Sequence, residues 1–179
     1  MKRIVINEKE KSEILNGIML KFREVFESNE YTAALKVERK PDRSIVTDVD
    51  HFVSQEVKKI LKHKMKEEGL SFFSEEDMES FSFPMIVLDP IDGTRELSQG
   101  LGECVLSLAV MQNSTEGYGW LFNPFTGFSI SSDDRFVKAP NFQTESLVGL
   151  VSRTEYKKGV FSDIDESGIT LVPRGSIAF

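Results

Sequence analysis

The chain has 179 residues, a formal net charge of −7 and an isoelectric point near 5.0. Hydrophobic residues make up 40% and charged residues 28%, the balance of a globular protein with room for one domain and part of another. The acidic charge argues against nucleic acid as a partner, because the phosphate backbone selects a basic face. A single cysteine excludes an intrachain disulfide framework, and no apolar run approaches a membrane span, so a cytoplasmic protein is expected.

The first predicted helix covers residues 8–28, where apolar side chains recur at helical spacing. Its stripe consists of Ile14, Ile18, Phe22 and Val25. Residues 29–45 are polar and basic and are broken by Pro41, which predicts a loop with at most a short extended piece. This segment is either a solvated connector or a contact for an anionic substrate.

A second helix is predicted over residues 49–67, with Thr47 or Asp48 as its N-cap. Asp50 then falls in the first turn, where the helix dipole favours negative charge. Taken alone, Asp50 is best interpreted as complementing that dipole.

The remainder of the chain predicts short strands separated by turns. Apolar runs predict strands at 70–73 and 85–88, and Pro90 is expected to end the second of them. An antiparallel meander follows, with strands at 103–111, 117–122, 128–131 and 135–138. Two more apolar strands are predicted at 146–151 and 169–172, with a helix over 153–163 between them.

The most informative segment is Asp-Pro-Ile-Asp-Gly-Thr at residues 89–94. Asp89 and Asp92 can converge on one cation at the end of a strand, and oxygen ligands suit Mg²⁺. Gly93 permits close approach of the backbone to a ligand, and the N–H groups that follow can bind an oxyanion. Asp-Gly alone would favour a hairpin turn. The whole segment favours a metal and phosphate site.

Three segments in order resemble the Mg²⁺-dependent, lithium-sensitive phosphatase superfamily of inositol monophosphatase. Val-Thr-Asp-Val-Asp at 46–50 resembles the family's Val-Thr-x-x-Asp, and Ser-Glu-Glu at 74–76 resembles its Gly-Glu-Glu. Residues 89–94 match the central motif without change. Within the superfamily the chain most resembles the 3'(2'),5'-bisphosphate nucleotidases, because Asp-Gly-Thr-Arg-Glu-Leu at 92–97 is similar to their Asp-Gly-Thr-Lys-Glu-Phe.

The chain departs from the family in lacking a later Trp-Asp-x-Ala-Ala-Gly motif, whose Asp is a further metal ligand. The resemblance implies an α+β layered fold of the sugar-phosphatase type, with two N-terminal helices packed on an antiparallel sheet. It divides the chain into a metal- and phosphate-binding domain at 1–143 and the start of a truncated α/β domain at 144–179. The chain is then a fragment, a truncated product, or one completed by a separate C-terminal half.

The resemblance also implies roles for individual residues. Glu75, Asp89 and the carbonyl of Ile91 would bind a first Mg²⁺, and Asp89 would bridge to a second ion shared with Asp92. A third, weaker ion is also implied, and the second site is incomplete. Glu76 would support these ligands from behind.

A metal-activated water would attack phosphorus, with Thr94 and Asp50 as its proton relay and Glu75 assisting. The N–H groups of Gly93 and Thr94 would bind the phosphoryl oxygens. The implied substrate is adenosine 3',5'-bisphosphate or its sulfated precursor. The alternatives are an inositol or sugar phosphatase, an inactive remnant that binds metal or phosphate, and an acidic α+β domain without a metal site. No nucleic-acid or membrane partner is expected, and a homo-oligomer would bury the uncovered sheet face.

Overall fold

The computed structural model describes residues 3–26, 35–41, 45–75, 77–78, 81–134, 147–152, 156–159 and 169–174. The helices are α1 (Glu8–Phe26), α2 (Asp48–Glu68) and the short α3 (Thr94–Ser98). The strands are β1 (Val37–Arg39), β2 (Ile45–Thr47), β3 (Ser71–Ser74), β4 (Asp77–Met78), β5 (Met85–Asp92), β6 (Val105–Met111), β7 (Gly117–Phe122), β8 (Ser129–Ser131), β9 (Leu147–Ser152) and β10 (Ile169–Arg174).

The two long helices form one layer. The buried residues of α1 are the predicted stripe, Ile14, Ile18, Phe22 and Val25. Helix α2 begins at the N-cap Thr47 and ends at Gly69, which adopts a left-handed conformation and donates its N–H to the carbonyl of Met65. Gly17 lies where the helices meet, and a Cβ there would come 3.3 Å from the side chain of Glu56. Both predicted helices are therefore confirmed, and Gly17 has a packing role.

A six-stranded sheet forms the second layer, in the order β4-β3-β5-β6-β7-β8. The apolar face of the helices and one face of the sheet belong to a single buried cluster, which includes Val53, Leu61, Ile86, Leu108 and Trp120. Burial alternates along β6 and β7, as expected for a sheet with one face packed on a core. The predicted α+β class is confirmed.

The sheet is not antiparallel throughout. Strand β4 pairs with the outer side of β3 in an antiparallel hairpin, and β5 pairs with the inner side of β3 in parallel. After β4 the chain therefore crosses to the other side of β3, where β5 runs in the same direction as β3. The meander from β5 to β8 is antiparallel, as predicted.

The prediction that Pro90 ends its strand is wrong. Strand β5 continues to Asp92, which pairs with Val105, and the register shifts between Asp89 and Asp92. A bulge of this kind takes Pro90 out of the ladder, so its missing N–H breaks no strand pairing.

Two smaller sheets complete the described structure. Strands β1 and β2 form an antiparallel hairpin, and β9 and β10 pair in parallel. Strand β1 is the short extended piece allowed in the predicted loop at 29–45, whereas β2 begins at the end of that segment. The predicted strand at 135–138 lies outside the described residues, as do most of the predicted helix at 153–163 and the proposed domain boundary at 143/144. Among the described residues, no helix is long and apolar enough to cross a bilayer.

Candidate active site

The candidate site lies where β3 and β5 end side by side. Because Ser74 pairs with Leu88 in a parallel register, Glu75 follows β3 next to Asp89 in β5. The N–H of Glu75 donates to the carbonyl of Leu88 over 3.2 Å, which holds the two strand ends together. The parallel pairing of β3 and β5 is thus what brings two distant acidic segments together.

Helix α2 supplies the third part of the site. The Oγ1 atom of Thr94 lies 3.0 Å from Oδ1 of Asp50, which is 2% exposed. The same hydroxyl lies 2.8 Å from the carbonyl oxygen of Ile91. A hydroxyl has a single proton, so it donates to one of these two acceptors at a time.

Asp50 is held by a capping box at the start of α2. Its Oδ2 atom accepts from the N–H of Thr47 over 2.8 Å and also from the Thr47 hydroxyl. The N–H of Asp50 points back to Thr47 Oγ1 at 3.4 Å. One carboxylate oxygen therefore caps the helix while the other faces Thr94, which reconciles the capping interpretation of Asp50 with the catalytic one.

The backbone after β5 requires a glycine. Gly93 has φ +97°, and a Cβ there would lie 2.5 Å from the carbonyl oxygen of Glu103 and 3.2 Å from Cβ of Cys104. Both the conformation and the close approach of Glu103 and Cys104, just before β6, exclude a side chain. Gly93 thereby lets α3 start directly after the acidic strand end.

The carboxylates repel one another. Burial, together with the charges of Glu75, Asp92 and Asp50, raises the pKa of Asp89 to about 7. Burial and the nearby carboxylates also raise the pKa of the Cys104 thiol to about 12, which makes it an inert core residue.

The candidate ligands fit a hard divalent cation by their chemistry. Glu75, Asp89, Asp92 and the Ile91 carbonyl all offer oxygen, and a cation would relieve the repulsion at Asp89. Among the described residues, however, no three His, Cys, Asp or Glu side chains are grouped closely enough to hold a metal ion. Glu75 instead pairs with Lys40, whose Nζ lies 3.0 Å from Oε1. The ligand set therefore stays a prediction.

The sequence did not predict every residue around the site. Thr47 was expected as an N-cap and not as a support for Asp50, although Thr-x-x-Asp is a capping-box spacing. Lys40 was noted only as part of a basic segment. The buried Glu96 belongs to the segment 92–97 that carries the resemblance, but no role is predicted for it, and Glu76 lies outside the described residues.

The described residues form a layered α+β fold with carboxylates at the end of a central strand. The model of the inositol monophosphatase family matches residues 7–162, and the chain belongs to this family. The comparison with curated proteins gives no match.

Several solved structures share the fold. An inositol monophosphatase from Thermotoga maritima has a TM-score of 0.66 and 18% identity, over 95% of this chain and 68% of its own. An extragenic suppressor protein from Bartonella henselae has a TM-score of 0.60 and 17% identity, and the match covers 92% of this chain and 70% of that protein. An inositol monophosphatase/NADP phosphatase in complex with Mg²⁺ and phosphate has a TM-score of 0.62 and 16% identity, over 92% and 66%. The chain thus spans about two thirds of each neighbour's length.

Proposed function

We propose that this chain carries the metal- and phosphate-binding part of a Mg²⁺-dependent phosphomonoesterase. The observation that carries the proposal is the 3.0 Å contact between Thr94 Oγ1 and Asp50 Oδ1, beside the carboxylates at the end of β5. Membership of the inositol monophosphatase family supports the reaction class.

The cation sites follow the predicted ligands. Glu75, Asp89 and the Ile91 carbonyl would hold a first Mg²⁺, and Asp89 with Asp92 would hold part of a second. Two or three ions are expected, and the second site would need a further ligand that the described residues do not supply. When bound, Mg²⁺ lowers the pKa of the attacking water and neutralises charge on the leaving oxygen.

The chain's own residues then move one proton. Thr94 Oγ1 accepts a proton from the attacking water while its own hydroxyl proton passes to Asp50 Oδ1. A threonine hydroxyl is a poor base unless a carboxylate takes its proton, so the pair acts together. Thr47 keeps Asp50 in place by donating two hydrogen bonds to the opposite carboxylate oxygen.

Phosphate binding is assigned to the turn after β5. The N–H groups of Gly93 and Thr94 would contact the phosphoryl oxygens, and the left-handed conformation of Gly93 supports this role because successive N–H groups in such a turn can converge on an anion. Glu76 is proposed to support the ligands from behind.

For the substrate we propose adenosine 3',5'-bisphosphate or its sulfated precursor, on the similarity of residues 92–97 to the bisphosphate nucleotidases. A second candidate is an inositol or sugar monophosphate, which is favoured by the family match and by the solved inositol monophosphatases that share the fold. A remnant that only binds metal or phosphate is the third. A cytoplasmic location and the division at residue 143 also stay part of the proposal.

The test is Mg²⁺-dependent phosphate release by the 179-residue chain from adenosine 3',5'-bisphosphate and from inositol 1-phosphate, with Asp89→Asn as control. We expect weak release that the control abolishes, because the described residues leave the proposed second cation site short of a ligand. The preferred ester decides between the two substrate classes. No release from folded chain would instead support the remnant, and release unaffected by Asp89→Asn would contradict the proposed site.

A further inference from the structure

Lys40 reaches into the candidate site from the β1–β2 hairpin. Its Nζ lies 3.0 Å from Oε1 of Glu75, a contact across 35 residues of chain. The Lys40 side chain is 22% exposed and that of Glu75 is 54% exposed. The ammonium group therefore lies against the one proposed ligand that follows β3, at the place where negative charge is concentrated.

The hairpin that carries Lys40 is tied to the rest of the site. Strand β1 pairs with β2, and β2 ends at Thr47, the N-cap of the helix that bears Asp50. Asp48 and Lys36 are joined twice at the base of the hairpin, by Asp48 N–H to the Lys36 carbonyl over 3.2 Å and by Lys36 N–H to Asp48 Oδ1 over 3.1 Å. Lys40 is thus held near the site by its own element.

We propose that Lys40 is an internal cation that competes with the metal for Glu75. The inference rests on the proposed function, because it takes Glu75 to be a metal ligand. A divalent cation near Asp89 would repel the Lys40 ammonium group, which lies within hydrogen-bond distance of Glu75. The metal and Lys40 therefore weaken each other's interaction with the Glu75 carboxylate. Lys40 is therefore a positioning residue that holds Glu75 in an ion pair and lowers the affinity of the site for the metal.

The competition has two consequences of opposite sign. Without metal, Lys40 offsets part of the repulsion among the clustered carboxylates, so its loss lowers stability. With metal, the same ammonium must leave Glu75, so its loss tightens binding. Loss of an ordinary surface lysine would not lower the stability of the metal-free chain and tighten metal binding at the same time.

Lys58 provides a matched control. It pairs with Asp77 over 2.9 Å, two residues beyond Glu75, and its side chain is 31% exposed. Lys58→Met removes the same charge from the same end of the sheet without touching Glu75. It therefore reports the through-space effect of losing one positive charge.

The experiment measures the Mg²⁺ dissociation constant of the metal-free chain by titration calorimetry, and its melting temperature in chelator. Because exposed ion pairs contribute little, we expect Lys40→Met to tighten Mg²⁺ binding about two- to fivefold and to lower the metal-free melting temperature. Lys40→Arg keeps the pair and should bind Mg²⁺ within about twofold of the parent chain. Lys40→Gln, which removes the charge but keeps a donor, should tighten binding as Lys40→Met does.

Two results would overturn the inference about Lys40 and leave the proposed metal site standing. Asp89→Asn could weaken Mg²⁺ binding while Lys40→Met leaves it unchanged, or Lys58→Met could tighten it as much as Lys40→Met. A parent chain whose Mg²⁺ binding is absent or insensitive to Asp89→Asn would overturn the proposed metal site, and the inference with it.

Discussion

At the scale of single residues, Asp50 makes hydrogen bonds with both of its carboxylate oxygens. Its Oδ2 atom closes the capping box with Thr47, and its Oδ1 atom faces Thr94. Because the cap locks the carboxylate in place, the oxygen that faces Thr94 is positioned before any substrate arrives. The capping box therefore holds Asp50 Oδ1 in the position that the proposed relay with Thr94 requires.

The relay predicts different outcomes for two substitutions of Thr94. Thr94→Val removes the hydroxyl, and we expect Mg²⁺-dependent phosphate release to fall about 10²- to 10⁴-fold, the usual contribution of a proton-transfer group. Thr94→Ser keeps the hydroxyl and should retain most of the rate. Initial rates at saturating substrate check this, with melting temperatures to show that both variants fold. A Thr94→Val rate within tenfold of the parent chain would exclude the relay.

At the scale of elements, the site depends on how β5 gives way to α3. The bulge between Asp89 and Asp92 lets the strand pass Pro90, and Gly93 then turns the chain into α3 against the residues just before β6. The turn is tight because the carbonyl of Glu103 leaves no room for a Cβ. The acidic strand end and Thr94 are thus held as one rigid unit.

Two glycine substitutions separate the energetic cost of a left-handed backbone from the cost of a steric clash. Gly127 has φ +72° and nothing within 4 Å of a Cβ, so Gly127→Ala should cost only the left-handed conformation, about 1–2 kcal/mol. Gly93→Ala adds the clash with Glu103, and we expect a loss of about 3 kcal/mol or more in the free energy of unfolding. Urea denaturation of both variants measures this. Equal losses would mean that the backbone at Glu103 shifts to make room for the new methyl group.

At the scale of the whole molecule, the clustered carboxylates oppose folding when no metal is present. Asp89 is mostly buried among like charges, which is unfavourable for its ionised form. A cation bound to the folded state alone reverses this, because ligand binding stabilises the state that binds it. Under the proposed function, the repulsion among these carboxylates lowers the stability of the metal-free chain and favours binding of a cation.

Because the pKa of Asp89 is raised to about 7, its carboxylate is ionised at pH 8 in surroundings that disfavour the charge. We therefore expect Asp89→Asn to stabilise the chain in chelator at pH 8, by about 1–3 kcal/mol. Added Mg²⁺ should raise the melting temperature of the parent chain and leave that of the variant unchanged. Asp133→Asn is the control, because Asp133 pairs with Arg3 in an exposed contact and its loss should give a small destabilisation. Thermal melts with chelator and with Mg²⁺ check all three chains. A destabilised Asp89→Asn variant would show that this carboxylate already has a favourable partner.

Local patterns determined much of this protein. The apolar stripe of α1, the cap of α2 and the alternating strands of the meander were all predictable, because helix and strand periods decide which side chains face a core. The segment 89–94 and the two shorter motifs likewise indicated the family, since each carries its chemistry in consecutive residues.

Only the tertiary structure decided what meets at the site. The parallel pairing of β3 with β5, the continuation of β5 past Pro90 and the contact of Lys40 with Glu75 depend on residues far apart in the chain. Sequence periodicity predicts which face of a helix or strand a residue occupies. It does not predict which strand or side chain lies next to that residue, because the packing of the whole fold selects those neighbours.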